Sequence, residues 1–289
     1  MLTKNVVHLN LDLTVDSGQV FLWNKINGYW YGIHGSNVVK VSINNNVFEF
    51  SSFPEHINGE HIFRLDDNLD AITRKISKDG VMKEAISTLS GLRLMRQEPY
   101  QCLLSFICAT NTSIAMIRRM LTSMSLRFGR KLEYDGFKFY LFPEPKRLAL
   151  ASINDLCKCS VGFRARFIKQ AAKVIQSGSI DFENLKRMRY ENAKEELMDV
   201  LGIGQKVADC ILLFSLEKLD AFPIDIWVAR AISNYYDNLF DKRLDLSKIS
   251  PKTYRLLSTK MREYFGPYAG YAQQYLYCYA RNKIEKRSS

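Results

Sequence analysis

The sequence predicts an α+β fold, with a β-rich antiparallel N-terminal domain over residues 1–85 and an all-helical body over residues 86–289. Two observations carry this prediction. Before about residue 85, short β-branched and aromatic runs alternate with Gly and Asn turns; beyond it, apolar residues recur at helical spacing over longer segments separated by Pro and Gly.

The chain starts in strand-like sequence and reaches its clearest strands at Tyr29-Trp30-Tyr31-Gly32-Ile33, Val38-Val39-Lys40-Val41 and Val47-Phe48-Glu49-Phe50. Asn44-Asn45-Asn46 separates the last two, as an antiparallel turn requires. In the body, the 3.6-residue period predicts helices over Cys102–Ala109, Ile114–Phe128, Arg166–Ile175, Ala193–Val200, Val207–Leu216, Ile226–Tyr235 and Tyr271–Ala280. Pro143-Glu144-Pro145, Gly178, Pro223, Pro251 and Gly266-Pro267 break the pattern between them. No internal repeat or low-complexity linker is present.

A chain of 289 residues with 47% hydrophobic and 12% aromatic residues can bury a substantial core. The net charge of +11 favours a polyanionic partner, since each Lys or Arg placed on a phosphate releases a condensed counterion. Charge alone leaves nucleic acid, a ribosome and an anionic membrane surface open. No apolar run is long enough to span a bilayer and no signal peptide is evident, so an intracellular protein is expected, cytoplasmic if prokaryotic. The six cysteines, scattered through helical sequence, suit reduced thiols; Cys157-Lys158-Cys159 has no second pair at metal-ligand spacing. All four histidines fall within the first 61 residues, so chemistry in the body must use other groups.

Leu201-Gly202-Ile203-Gly204-Gln205-Lys206 joins two predicted helices. A Gly-x-Gly turn leading at once into a helix aims bare N–H groups and a positive helix end at one point, which suits a phosphate. It also suits a plain tight connection between helices. Lys206 falls at the start of the second helix, where the dipole disfavours its cation and an apolar setting would disfavour it further; a neutral amine is a nucleophile able to form a Schiff base. Pro223-Ile224-Asp225 heads the next apolar segment, where Asp225 reads as a rigidly held carboxylate, as an N-cap, or as both.

Gly202-Ile203-Gly204-Gln205-Lys206-Val207-Ala208-Asp209-Cys210 and Pro223-Ile224-Asp225 resemble the helix-hairpin-helix DNA glycosylases, and specifically the full-length 8-oxoguanine DNA glycosylase/AP lyases. Further matches follow in family order at Ser17-Gly18-Gln19-Val20-Phe21-Leu22-Trp23, Arg93-Leu94-Met95-Arg96-Gln97, Ser105-Phe106-Ile107-Cys108, Gly162-Phe163-Arg164-Ala165-Arg166 and Gly266-Pro267-Tyr268-Ala269-Gly270-Tyr271-Ala272-Gln273. The resemblance implies a helix-hairpin-helix at about residues 193–216 and double-stranded DNA containing oxidised guanine as the partner of a monomeric enzyme.

By the same resemblance Lys206 attacks C1′ and Asp225 stabilises the positive charge that develops on the sugar. Asn111 fills the gap left by a flipped base, Phe163 wedges beside the opposite base, and Arg164 contacts that base. Gly202, Gly204 and Gln205 hold the DNA backbone. Gly18 presents a carbonyl to N7 of the lesion, Gln273 reads its Watson-Crick edge, and Cys210 and Tyr277 sandwich the ring. No cofactor is required. An iron-sulfur cluster is not expected, because Cys278 is the only cysteine beyond the hairpin helix, while a monovalent cation on the carbonyls of Met198, Val200 and Ile203 is allowed.

Three positions depart from eukaryotic members: Met116 replaces an arginine, Phe163 a tyrosine and Trp227 a histidine. The departures imply a weaker preference for cytosine opposite the lesion. A glycosylase for another damaged base, or a noncatalytic helix-hairpin-helix DNA-binding protein, would share the hairpin and the charge. Gly18 with Gln273 separates the first alternative, and Lys206 with Asp225 the second.

Overall fold

The computed structural model describes residues 2–5, 8–240 and 249–288. Strands β1 (Leu2–Asn5), β2 (Trp23–Ile26), β3 (Tyr29–His34), β4 (Asn37–Asn44) and β5 (Val47–Phe53) form one antiparallel sheet in the spatial order β1-β5-β4-β3-β2. Asn27-Gly28 and Asn45-Asn46 close two of its hairpins with both central residues at positive φ, which matches the twist of the flanking strands. Helix α1 (Leu11–Asp16) lies between β1 and β2, and α2 (Gly59–Ile62), α3 (Leu69–Ile76) and α4 (Gly80–Thr88) follow the sheet.

Both faces of the sheet are buried, so its strands alternate between two cores. Tyr31, Ile33 and Val38 join Phe21 and Leu22 in the apolar core of the helical body. Trp30, Val39, Val41, Phe48 and Phe50 pack on the other side with Trp23, Phe63 and Met95.

The body comprises α5 (Pro99–Cys108), α6 (Ile114–Phe128), β6 (Lys131–Tyr134), β7 (Phe137–Tyr140), α7 (Pro145–Leu150), α8 (Ile153–Cys157), α9 (Ala165–Gln176), α10 (Phe182–Arg187), α11 (Tyr190–Met198), α12 (Gln205–Ser215), α13 (Ile226–Tyr235), α14 (Pro251–Phe265) and α15 (Ala269–Ser288). The α+β class and the predicted strands and helices are therefore present, with two refinements. The body is not wholly helical: β6 and β7 pair around Asp135-Gly136, both at positive φ, and Phe137 and Phe139 each place a ring 5.6 Å from Tyr31 of the sheet. Pro251 also opens a helix where its sequence suggests a break. It stands in the first turn of α14, where no intrahelical partner is needed for its missing N–H, and Ser250 caps the same turn by accepting from the Thr253 N–H.

Among the described residues no helix is long and apolar enough to cross a membrane. All six cysteines are free thiols, Cys157 exposed and the others buried.

Candidate active site

Helix α12 is buried along its whole length after its first two residues, and those two are half-buried at the mouth of the hairpin. Lys206 is the second of them. Its Nζ lies 5.1 Å from the centroid of the Phe106 ring on α5, and Phe106 in turn stacks on Phe214 of α12 at 5.4 Å. The amine is thus held over an aromatic face.

Asp225 comes from a second direction. As N-cap of α13 its carboxylate accepts the Val228 N–H at 2.9 Å. Burial raises its pKa above the ordinary carboxylate value, while the Val228 N–H and the charge of Lys206 oppose the rise. The charge of Lys206, at the head of α12, therefore reaches the Asp225 carboxylate at the head of α13.

The link between these helices passes through Asp209, one turn after Lys206. Fully buried, its carboxylate accepts from Tyr190 Oη (2.5 Å), Lys194 Nζ (2.8 Å) and Tyr254 Oη (2.6 Å). Tyr254 Oη also accepts the Ile224 N–H at 3.2 Å. Asp209 so ties α11, α12 and α14 together and anchors the residue before Asp225. Breaking such a buried charged cluster by removing one partner costs about 3–5 kcal/mol.

Two ring-sandwiching candidates face the same site. Burial pushes the Cys210 thiol up to about 12, with the Lys206 charge opposing, so it stays a neutral thiol at neutral pH. Tyr277 on α15 is likewise pushed up to about 12 by burial, reinforced by the charge of Asp225. Gly18 adjoins it: at φ +81°, a Cβ there would stand 2.9 Å from Tyr277 Oη. The turn needs a glycine for its backbone and for this contact. Gln273, one helical turn before Tyr277, is 5% exposed, and its Oε1 is buried with no hydrogen-bond partner among the described residues.

The base-flipping candidates form a second group. Asn111 is exposed at φ +50° in the loop between α5 and α6. Phe163 is 57% exposed on a single 3₁₀ turn before α9, as a wedge must be. Arg164 is instead buried; its guanidinium donates to the Thr110 carbonyl and lies 4.5 Å from the Phe163 ring centroid. It joins the Asn111 loop to the Phe163 turn.

The hairpin connects both groups. Gly202 has φ +96°, and a Cβ there would fall 2.5 Å from Cγ of Phe167, which itself packs edge-on to Phe163 at 6.2 Å. Gly204, the N-cap of α12, is exposed, and a Cβ there would meet nothing within 4 Å. The Gln205 side chain is turned back to donate to the Pro251 carbonyl at 2.9 Å. Of the carbonyls named for a cation, that of Val200 already accepts the Ile203 N–H at 3.0 Å. Among the described residues no group of three or more His, Cys, Asp or Glu is placed to hold a metal ion.

Sequence reasoning named Phe106 and Asp209 only as members of matched motifs and gave neither a role. The second was legible in principle, because a lone Asp inside the apolar run Val207-Ala208-Asp209-Cys210-Ile211 must find buried partners.

Comparison with known proteins shows the family. The profile of the 8-oxoguanine DNA glycosylase N-terminal domain matches residues 1–103. The N-glycosylase/DNA lyase OGG1 of Arabidopsis thaliana is 31% identical over 287 residues, spanning 93% of this chain and 76% of the relative. The chain belongs to the 8-oxoguanine DNA glycosylase/lyase family. Two solved members of the family superpose over nearly their full length. MBOgg1 in complex with a low-affinity DNA ligand gives a TM-score of 0.87 at 30% identity, covering 96% of this chain and 94% of that one. The Clostridium acetobutylicum 8-oxoguanine glycosylase/lyase, in complex with double-stranded DNA containing cytosine opposite 8-oxoguanine, gives 0.85 at 33% identity, covering 97% and 94%.

Proposed function

We propose that this chain excises 8-oxoguanine from duplex DNA and then cleaves the strand, as a bifunctional glycosylase/AP lyase. The observation that carries the reading is the placement of Lys206, half-buried over Phe106, within electrostatic reach of Asp225. A protein that only held DNA would need neither group.

The flipped nucleotide's C1′ is attacked by the Lys206 amine, which gives up a proton, while the bond from C1′ to N9 breaks, and the base leaves with that electron pair and takes up a proton. Asp225, fixed by its cap bond, stabilises the positive charge on the sugar. The N,O-acetal so formed opens by breaking the C1′–O4′ bond, O4′ taking a proton, to leave an iminium between Lys206 and C1′. Loss of a C2′ proton then expels the 3′ phosphate, and water hydrolyses the imine to free the lysine.

For the lesion, the unpartnered Gln273 Oε1 suits the N–H groups of a guanine Watson-Crick edge, and Cys210 and Tyr277 suit its two faces. A carbonyl at Gly18 accepts from the protonated N7 of 8-oxoguanine and repels the lone pair of guanine. Asn111 and Phe163, exposed and adjoining through Arg164, suit the space vacated by the base and the step beside its partner. The open N-terminus of α12 at Gly204 suits a DNA phosphate. A monovalent cation on the carbonyls of Met198, Val200 and Ile203 belongs to the same proposal; the Val200 oxygen keeps one lone pair for it. So does the division at residue 85, which the strand content of the first part supports.

Borohydride trapping on duplexes containing 8-oxoguanine, guanine or an abasic site tests the reading. A covalent adduct is expected on the lesion and abasic duplexes and is lost in Lys206→Gln. Trapping on the abasic duplex alone would leave the lyase and remove the lesion assignment. Met116, Phe163 and Trp227 further lead us to expect excision opposite all four bases at rates within about tenfold, one such factor being worth about 1.4 kcal/mol. A strong cytosine preference in that assay would overturn this part.

A further inference from the structure

The turn that carries Gly18 is fastened from several sides, and one fastening comes from the helix that also lines the pocket. The Ser17 carbonyl accepts from Gln274 Nε2 at 3.0 Å and from the Cys278 thiol at 3.8 Å, both on α15. The Asp16 carbonyl accepts from Arg281 on the same helix (3.1 Å), and its carboxylate from Arg118 of α6 (2.9 Å). Gln19 holds the other side. Its amide donates to the carbonyls of Thr14 and Arg93, its Oε1 accepts the Met95 N–H, and its own carbonyl accepts from Gln97 Nε2. From Asp16 to Gln19, the Gly18 carbonyl alone has no donor among the described residues.

We propose that Gln274 is a positioning residue for lesion specificity: by holding the Ser17 carbonyl it fixes the adjacent, unpaired Gly18 carbonyl for an N–H donor on the flipped base. The inference rests on the function proposed above. Its physical basis is the directionality of the hydrogen bond, which weakens steeply once the donor angle falls below about 120°. Gln274 is buried, and the Ser17 carbonyl is left with only a weak thiol donor if the amide is removed. The turn would then shift to satisfy that oxygen, and Gly18 would move with it. Gln273 and Gln274 thus divide the work, one open to the ligand and the other holding the turn.

The test measures two rates in the same preparations, single-turnover excision of 8-oxoguanine and strand cleavage of a preformed abasic duplex. Gln274→Met keeps the length and removes the donor; Gln274→Glu keeps the shape and presents only acceptors when ionised. Both variants are expected to lose about tenfold or more in excision while abasic cleavage stays within about twofold, because the latter uses Lys206 and Asp225 without a base in the pocket. Excision at the wild-type rate, or a parallel fall in both rates, would overturn the assignment. Wild-type protein that cleaves the abasic duplex but leaves 8-oxoguanine untouched would overturn the proposed substrate itself, and this inference with it.

Discussion

Asp225 is subject to opposing demands. Its site needs a carboxylate, yet burial raises its pKa above 3.8, the ordinary value, against the pull of the Val228 N–H and Lys206. Because the folded value lies above the unfolded one, this group favours folding fully below pH 3.8 and loses that contribution as pH rises through the folded value. At neutral pH the ionised side chain therefore weakens the fold. Asp225→Asn, which keeps an acceptor for the cap, is expected to melt higher than the parent at pH 7.5, with the gain shrinking toward pH 4, while excision falls by about 100-fold or more. Calorimetry across pH beside single-turnover rates reads both; a lower melting point at neutral pH would refute the first half. In the parent, the acid limb of the excision rate should inflect above 3.8. At this scale Lys206 and Asp225 were legible because their chemistry lies in short local motifs. Gly18 and Gln273 were legible only through resemblance: the neighbouring Ser17–Gln274 contact joins residues 257 apart in sequence, and no local pattern encodes such a meeting.

The two hairpin glycines make different demands on the element that holds them. Gly202 needs both its positive φ and the space that Phe167 fills, whereas Gly204 is extended and open. Gly202→Ala is expected to destabilise the protein by about 1–3 kcal/mol, from backbone strain and overpacking together. Gly204→Ala should cost less than about 1 kcal/mol in stability and act mainly on DNA affinity, through the methyl group placed where a phosphate would approach. Urea melts and duplex titrations separate the two; equal stability losses would contradict the distinction. Element boundaries were legible where amphipathic period and cap coincide, as in α6 and α13, whose limits match the sequence reading at both ends. Pro251 was ambiguous because the same ring that ends a helix is preferred in a first turn. The β6–β7 hairpin left a plain signal in Tyr134-Asp135-Gly136-Phe137, but it lies in a helical body where its short strands of alternating side chains are easily read as connection.

In the whole molecule, the sheet and the helical body share one seam, and a histidine sits in it. The Gln101 side chain on α5 accepts the Gly35 N–H and donates to the Ile33 carbonyl, and the half-buried His34 lines a cavity of about 10 Å³ with Arg96, Gln97 and Glu98. Burial pushes the His34 imidazole down to about 4, with the charge of His61 adding to the effect. Here the folded value lies below the unfolded one, so the neutral ring favours folding above pH 6.5, and this contribution is lost as pH falls toward 4. Stability should decline over that window, and His34→Gln should flatten the decline; an unchanged slope in chemical melts at successive pH values would rule out this origin. Such a seam was not visible in the sequence. The β-rich and helical parts were each readable from their own periodicity, but which strand residues face the body depends on how the two parts dock.

Helix α15 carries Gln273, Gln274, Tyr277, Cys278 and Arg281 within three turns, and it packs against α3, α4, α13 and α14. Gln273 and Tyr277, which would gauge a base, and the groups that hold the Gly18 turn are therefore mounted on one rod rather than on independent loops. Thermal jostling of the surrounding helices carries them together and leaves their mutual spacing intact. The pocket should keep its discrimination nearly constant as temperature rises and lose it abruptly when the rod lifts away, failing as a unit rather than by gradual drift.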